Sequence, residues 1–301
     1  MQKVLQTIVC RHENYIHKKK KGFTMVQIIT DSSTLFTVEE GKKMGIEVLP
    51  LCVSIGELEG RDTQIDMGAF YGEIEKGNHP SSSQPPIGEV MEAFEKYQDA
   101  EIINISMADG LSGTYQAACG AKASVDNEEN ITVINSKTLC GPHRYMVQKA
   151  VQMKKEGKTA KEIIAWLEYA REHQESFLIP QDFDFLRRGG RLTPMAAKFA
   201  SVLNLRAIMT QTPDGCRLDK FGMKRSMKLA MKAVVDHLEE VKVDAKHIIY
   251  VSHARAEEDA KKAVAMLKER FADVEVQMLE LGAAFVTQGG PQCVAIQYIE
   301  K

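Results

Sequence analysis

The chain has 301 residues, 44% hydrophobic and 27% charged, with a formal net charge of −2. That length supports a large core and two domains. The absence of any run of about 18 apolar residues argues against a membrane span or stable insertion, and six scattered cysteines without a C-x-x-C pair point to reduced thiols in a cytoplasmic protein.

Residues 1–24 stand apart. They carry Lys3, Arg11 and Lys18 to Lys21 against Glu13 alone, a balance of +5 that leaves −7 for the rest. The basic cluster follows the weakly apolar segment Val4 to Cys10, the wrong order for a secretory signal. A disordered extension is expected here, with the fold starting near Met25. The acidic body offers no basic face to support nucleic-acid binding.

Val26 to Thr30 reads as a buried strand running into Asp31-Ser32-Ser33-Thr34. Thr37 and Glu40 form a capping box for a helix to Met44, which Gly45 ends. Ile46 to Val53 reads as a second strand, interrupted by Pro50. Asp66 to Lys76 is a helix, His79 to Pro86 a rigid polar loop, and Ile87, Val90, Met91 and Phe94 recur at helical spacing. Ile102, Ile103 and Ile105 then mark a buried strand, broken by Asp109-Gly110. Ser112 sits where an N-cap belongs for a helix from Thr114 to Ala121. Such a helix start leaves amides unpaired and suits an anion, and Gly113 keeps no side chain in the way. Taken alone, Ser112 is better explained by capping its own helix than by binding a ligand. Ile131 to Asn135 is another strand, and Pro142 to Lys155 and Thr159 to His173 are helices. The strand–helix alternation predicts a parallel sheet, with ligands at the carboxyl ends of its strands. Asp31-Ser32-Ser33 and the loop before Ser112 lie at such ends.

The texture changes after His173, which places a domain boundary near 173–177, with an N-terminal α/β domain over 25–174 and a C-terminal one over 175–301. Phe177 to Pro180 is a strand, Asp182 to Arg188 a helical turn broken by Gly189-Gly190-Arg191, and Pro194 restarts a helix over Met195 to Leu203. Leu205 to Thr210 and Cys216 to Phe221 flank the turn Pro213-Asp214-Gly215. Helices over Lys224 to Val241 and Ala256 to Phe271 enclose the strand His247 to Ser252, and Val274 to Leu279 and Cys293 to Ile299 close a mixed sheet.

Four polar clusters fall between regular elements: Ser81-Ser82-Ser83-Gln84, Leu111-Ser112-Gly113-Thr114, Gly189-Gly190-Arg191 and Thr287-Gln288-Gly289-Gly290-Pro291. Hydroxyls, an amide and one guanidinium suit a small anion. They do not suit proton transfer, because no carboxylate pair or histidine base accompanies them. Eight histidines without ligand spacing give no metal site. A serine hydrolase using Ser112 would need His79, His143 or His253 as base, and Gly110-Leu111-Ser112-Gly113-Thr114 departs from G-x-S-x-G by one place. No GxxxxGK[ST] or strand-linked GxGxxG occurs.

These clusters, in this order, resemble the motifs of the DegV family: Asp31-Ser32-Ser33, Ser82-Ser83-Gln84-Pro85, Leu111 to Gln116, Gly189-Gly190-Arg191-Leu192 and Gln288 to Gln292. The match runs from about residue 26 to the C-terminus. The resemblance implies a two-domain α/β fold, the first domain with a parallel sheet and the second with a mixed one. It also implies a protein without catalytic activity or cofactor of its own that buries one long-chain fatty acid. Such a protein serves as the binding subunit of a bacterial fatty-acid kinase in phospholipid metabolism, presenting the carboxylate to a separate ATP-using enzyme. The ligand-binding positions it implies are Ser82, Ser83, Ser112, Gly113, Thr114, Arg191 and Gln288, and Met195 to Leu203 would line an apolar tunnel. Gln288 stands where the family has His, and Gln292 where it has Gly; a different anionic or lipid ligand is the alternative these departures leave open. Gln can donate a hydrogen bond but does not titrate near neutral pH.

Overall fold

The computed structural model describes residues 25–198 and 205–301. The expectations for residues 1–24 and for 199–203 fall outside these. The first half runs β1 (Val26–Asp31), a 3-10 turn (Ser32–Thr34), α1 (Val38–Met44), β2 (Glu47–Leu49), β3 (Cys52–Ile55), β4 (Leu58–Arg61), α2 (Met67–Glu75) and β5 (Ser81–Ser83). It continues with α3 (Ile87–Lys96), β6 (Glu101–Ser106), α4 (Thr114–Lys122), β7 (Ile131–Asn135), α5 (Cys140–Lys155) and α6 (Ala160–Ala170). The second half runs β8 (Gln174–Ile179), α7 (Phe183–Gly189), α8 (Pro194–Lys198), β9 (Arg206–Gln211), β10 (Leu218–Lys224), α9 (Met227–Glu240), β11 (His247–His253), α10 (Glu257–Arg270), β12 (Glu275–Glu280), α11 (Ala283–Gly289) and β13 (Val294–Glu300).

The first half is built on a parallel sheet of order β2-β1-β6-β7. Its strands are apolar on both faces because helices cover both. Val90 and Phe94 of α3 pack with Ala118 of α4 against Ile29 and Ile102 on one side. Met146 and Val147 of α5 and Ile163 and Leu167 of α6 pack against Ile28, Ile103 and Ile105 on the other. The second half is a six-stranded mixed sheet, β10-β9-β8-β13-β11-β12, in which only the β11–β12 pair is parallel.

Pro50 does more than interrupt one strand, as the sequence suggested. It separates β2, in the parallel sheet, from β3, in an antiparallel ribbon of order β4-β3-β5. Proline removes the donor that a continuous ladder would need, so the chain changes sheets there.

Helix α5 joins the two halves. One face packs on β1 and β6, and the other meets Ile248 and Tyr250 of β11 and Ile299 of β13, all within a single buried cluster. The approach to β11 is so close that a Cβ at Gly141 would overlap the Tyr250 ring. Gln297 of β13 ties the same junction. Its amide donates to the Leu139 carbonyl (3.0 Å) and to Ser176 Oγ (2.9 Å), and its Oε1 accepts from Gly141 N (3.3 Å).

Candidate functional site

A cavity enclosing about 1130 Å³ of empty space, part of it open to solvent, lies where the two halves and the three-stranded ribbon meet. The walls are mostly apolar. Leu51 comes from the ribbon, Met107 and Leu111 from the β6–α4 loop, Leu139 and Cys140 from the start of α5. Leu178 of β8, Leu186 of α7, Phe285 of α11 and Cys293 complete them. Burial pushes the Cys293 thiol up to about 12. Burial also raises the Cys140 thiol well above its ordinary range, with Cys293 adding to the effect. Both cysteines are therefore neutral wall groups and not nucleophiles.

Six of the seven residues singled out in the sequence line this cavity: Ser82, Ser83, Ser112, Gly113, Arg191 and Gln288. Ser82 is held by β5, whose backbone pairs with β3. Its hydroxyl lies 3.1 Å from Thr287 Oγ1. Since Thr287 donates its own proton to the Ala284 carbonyl (2.7 Å), Ser82 is the donor in the pair. Ser112 Oγ lies 2.8 Å from Thr114 Oγ1 and accepts from Thr114 N at 3.3 Å. When Thr114 donates, the Ser112 proton is free for a ligand. Thr114 itself is buried behind Ser112 and does not line the cavity.

Helix α4 has Gly113, not Ser112, at its N-cap, and the N-cap residue itself makes no side-chain cap bond; Ser112 takes only the Thr114 amide. Ser112 is thus one residue further out than the sequence placed it, because the Asp109-to-Gly113 loop turns before the helix begins. Beyond the Thr114 amide, the first-turn amides of the helix have no side-chain acceptor. Leu111 and Arg191 join this loop to the second half: Arg191 Nε donates to the Leu111 carbonyl (3.1 Å) and Nη1 to the Gly189 carbonyl. Arg191 has no carboxylate partner among the described residues, and nearby Asp184 pairs with Arg187 and Arg188 instead. Its guanidinium charge remains available to an anion.

Gln288 lies in α11, although its Thr-Gln-Gly-Gly-Pro context reads as a loop. Its Nε2 reaches Thr287 Oγ1 at 3.4 Å, and its Oε1 is buried with no partner. A Cβ at position 189 would overlap that oxygen, so glycine is what lets α7 and α11 come together here.

Other sequence candidates lie elsewhere. Asp31, Ser32 and Ser33 end a parallel strand but are fully buried and line no cavity. Asp31 accepts from Ser33 N and Met107 N, both at 2.9 Å, and so holds the β6–α4 loop. Ser33 Oγ bonds His143 Nδ1 at 2.7 Å, and His143 Nε2 lies 3.1 Å from the Ile105 carbonyl. The ring therefore donates through Nε2 and accepts through Nδ1, and burial lowers its pKa. Ser32 Oγ donates to Asp62 Oδ1 at 2.7 Å, and burial pushes the Asp62 carboxyl up to about 7. No histidine among the described residues is bonded to Ser112, so the base that a hydrolase needs is missing there. No cluster that could hold a metal ion occurs among the described residues, and no described helix is long and apolar enough to cross a membrane. Met195 is 68% exposed, and no described residue of α8 lines the cavity. The wall residues were not legible as such, because Leu51, Leu139, Leu178 and Leu186 follow ordinary core patterns.

The family model described as uncharacterised protein, DegV family, matches residues 25–301. Protein DegV of Bacillus subtilis is 30% identical over 286 residues, covering 92% of this chain and 99% of that protein. The crystal structure of DegV, a fatty acid binding protein from Bacillus subtilis, superposes with a TM-score of 0.81 at 28% identity, covering 93% of this chain and all of that one. The crystal structure of a DegV family protein from Ruminococcus gnavus with vaccenic acid gives 0.81 at 27% identity, covering 91% of this chain and all of that one.

Proposed function

Because the chain belongs to the DegV family, we propose that it binds one long-chain fatty acid. The acyl chain lies in the cavity between the halves, and the carboxylate is held at Ser82, Ser83, Ser112, Gly113, Arg191 and Gln288, with Thr114 orienting Ser112. The observation that carries this reading is convergence: sequence clusters separated by up to about two hundred residues meet in the wall of one mostly apolar cavity. Burying a chain contributes roughly 0.8 kcal/mol per CH₂ before the costs of association. The carboxylate adds charge-assisted bonds from Arg191 and a hydroxyl bond from Ser112, and Ser82 joins them once its proton turns from Thr287 Oγ1 to the ligand. The open amides at the start of α4 favour the same charge.

The protein has no catalytic role of its own in this reading and acts in the cytoplasm. It presents the carboxylate to a separate ATP-dependent kinase. The grouping of Ser82, Gln288 and Arg191 around Thr287 and Gly189 supports this, because a reagent reaching those residues meets the carboxylate and not the chain. Native mass spectrometry of the purified protein, followed by denaturing extraction, tests the binding step. One fatty acid per chain is expected; an empty protein that also refuses added fatty acids would overturn it. With a partner kinase reconstituted, Gln288→His is expected to raise acyl-phosphate formation, since imidazole titrates near neutral pH and an amide does not. An unchanged rate would count against a kinase-coupled role for this position.

A further inference from the structure

One wall of the large cavity is a face of the mixed sheet, and that face is not apolar throughout. Ser176 of β8, Gln211 of β9 and Gln297 of β13 all line the cavity. They form one row across three neighbouring strands. Ser176 is paired with Gln297, and the β8–β9 register, with Phe177 opposite Thr210, sets Ser176 opposite Gln211. Side chains directly opposite on one face have Cβ atoms about 5 Å apart. We propose that this row selects an acyl chain that carries a hydroxyl group along its length. The inference rests on the fatty-acid reading and specifies the class of acid.

The hydrogen-bond network fixes what the row offers. Gln297 Oε1 accepts from Gly141 N, so its Nε2 donates to the Leu139 carbonyl and, at 2.9 Å, to Ser176 Oγ. Ser176 Oγ is the acceptor in that bond, and its own proton has no acceptor among the described residues. Gln211 Nε2 donates to the Lys137 carbonyl at 3.1 Å and lies 3.5 Å from the Gly215 carbonyl, so this amide is oriented too. Its Oε1 has no donor among the described residues. A free donor and a free acceptor on adjacent strands are what one hydroxyl satisfies, because it accepts and donates at once. A plain saturated chain lying there would leave both groups dry and unpaired. Arg191 is the only charged side chain among the described residues that line the cavity, so no further charge is there to balance a second carboxylate or an amine. The row also lies away from the carboxylate. Leu178 and Cys293 are the sheet residues that a Cβ at Gly289, next to Gln288, would meet. Ser176 is one same-face step beyond Leu178, and Gln297 two beyond Cys293. The hydroxyl therefore belongs to the chain and not to the carbons beside the carboxylate.

The experiment uses the full chain and its Ser176→Ala and Gln211→Leu variants, with melting temperatures to show that both fold. Stearic acid, 2-hydroxystearic acid and stearic acids hydroxylated at successive mid-chain carbons are each titrated by displacement of a fluorescent fatty acid. In the wild type one mid-chain isomer is expected to bind about tenfold more tightly than stearic acid, and the 2-hydroxy acid to bind like stearic acid. Ser176→Ala, which leaves Gln297 its Leu139 acceptor, should cut that preference to about twofold or less. Gln211→Leu should tighten stearic acid about threefold and weaken the preferred isomer about tenfold. A merely structural role for Gln211 would weaken both alike. Should Gln211→Leu not fold, Ser176→Ala decides. A wild type that binds every isomer like stearic acid, or favours only the 2-hydroxy acid, overturns the proposal and leaves the fatty-acid reading intact, as does a preference that the variants retain. If no acid of the series binds the wild type, the fatty-acid reading fails and the proposal falls with it.

Discussion

Half-buried Arg191 and buried Asp62 show how differently two ionisable groups are treated. Arg191 keeps a full charge against backbone carbonyls only, and this favours an anionic ligand. Arg191→Gln is expected to lower fatty-acid affinity by about 1.5–3 kcal/mol, or roughly ten- to a hundredfold. Ser112→Ala should cost about 1 kcal/mol. Displacement titration measures both, and a wild-type affinity in Arg191→Gln would remove the guanidinium from the ligand. Asp62 is an acid raised to about 7 by burial, partly offset by the Ser32 hydrogen bond. The folded protein therefore holds a proton there that the unfolded chain releases near 3.8. Its contribution to stability is fully present below the unfolded value and is lost as pH rises from about 4 to about 7. At 1.36 kcal/mol per unit the loss is roughly 4 kcal/mol at most. Asp62→Asn keeps an acceptor for Ser32 and removes the titration. The variant should match the wild type at pH 4 and exceed it by about 2–4 kcal/mol at pH 8 in urea unfolding. Parallel pH profiles for the two proteins would show that Asp62 is ionised throughout.

At the scale of elements, helices and parallel strands were legible because their signals are local. The capping boxes at Thr37 and Thr159 form as their sequences indicate, and β1, β6 and β7 are apolar runs between turn residues. Two elements of the site were not legible. β5 is three serines, with no alternation and weak strand propensity, and β3 across the ladder makes it a strand. Helix α11 is buried at nearly every position, so it shows no amphipathic period, and Gly289-Gly290 next to Gln288 imitates a loop. The polar positions could thus be picked out, but not the elements that aim them. The contact between α7 and α11 tests whether that aim matters. Gly189→Ala adds one methyl group against Gln288 Oε1 and must turn the amide aside. Because only the end of a flexible side chain has to move, the melting temperature should change by no more than about 3 °C, whereas fatty-acid affinity should fall about three- to tenfold. Unchanged affinity would mean that Gln288 makes no contact with the head group.

Across the whole molecule, the apolar cavity has walls drawn from the ribbon, from both halves and from the loops between them, and no local stretch of sequence describes it. Ile248, Tyr250 and Ile299 show the same limit. They read as strand residues of the second half, yet they belong to one core with Met146 and Val147 of α5. A helix clamped on two sheets leaves no free hinge between the halves. Small-angle scattering should give the same radius of gyration with and without ligand, within error. A contraction on loading would show that the halves close around the chain.

The shared helix also bears on cooperativity. If one sheet came apart, α5 would lose half of its packing, and the face holding Tyr250 would be left against water. Neither half can melt while the other persists without that exposure, so the two sheets unfold as one thermodynamic unit. Scanning calorimetry should show a single peak whose calorimetric and van't Hoff enthalpies agree. A bound fatty acid, holding residues from both sides of the junction, should move that peak upward as a whole and not divide it.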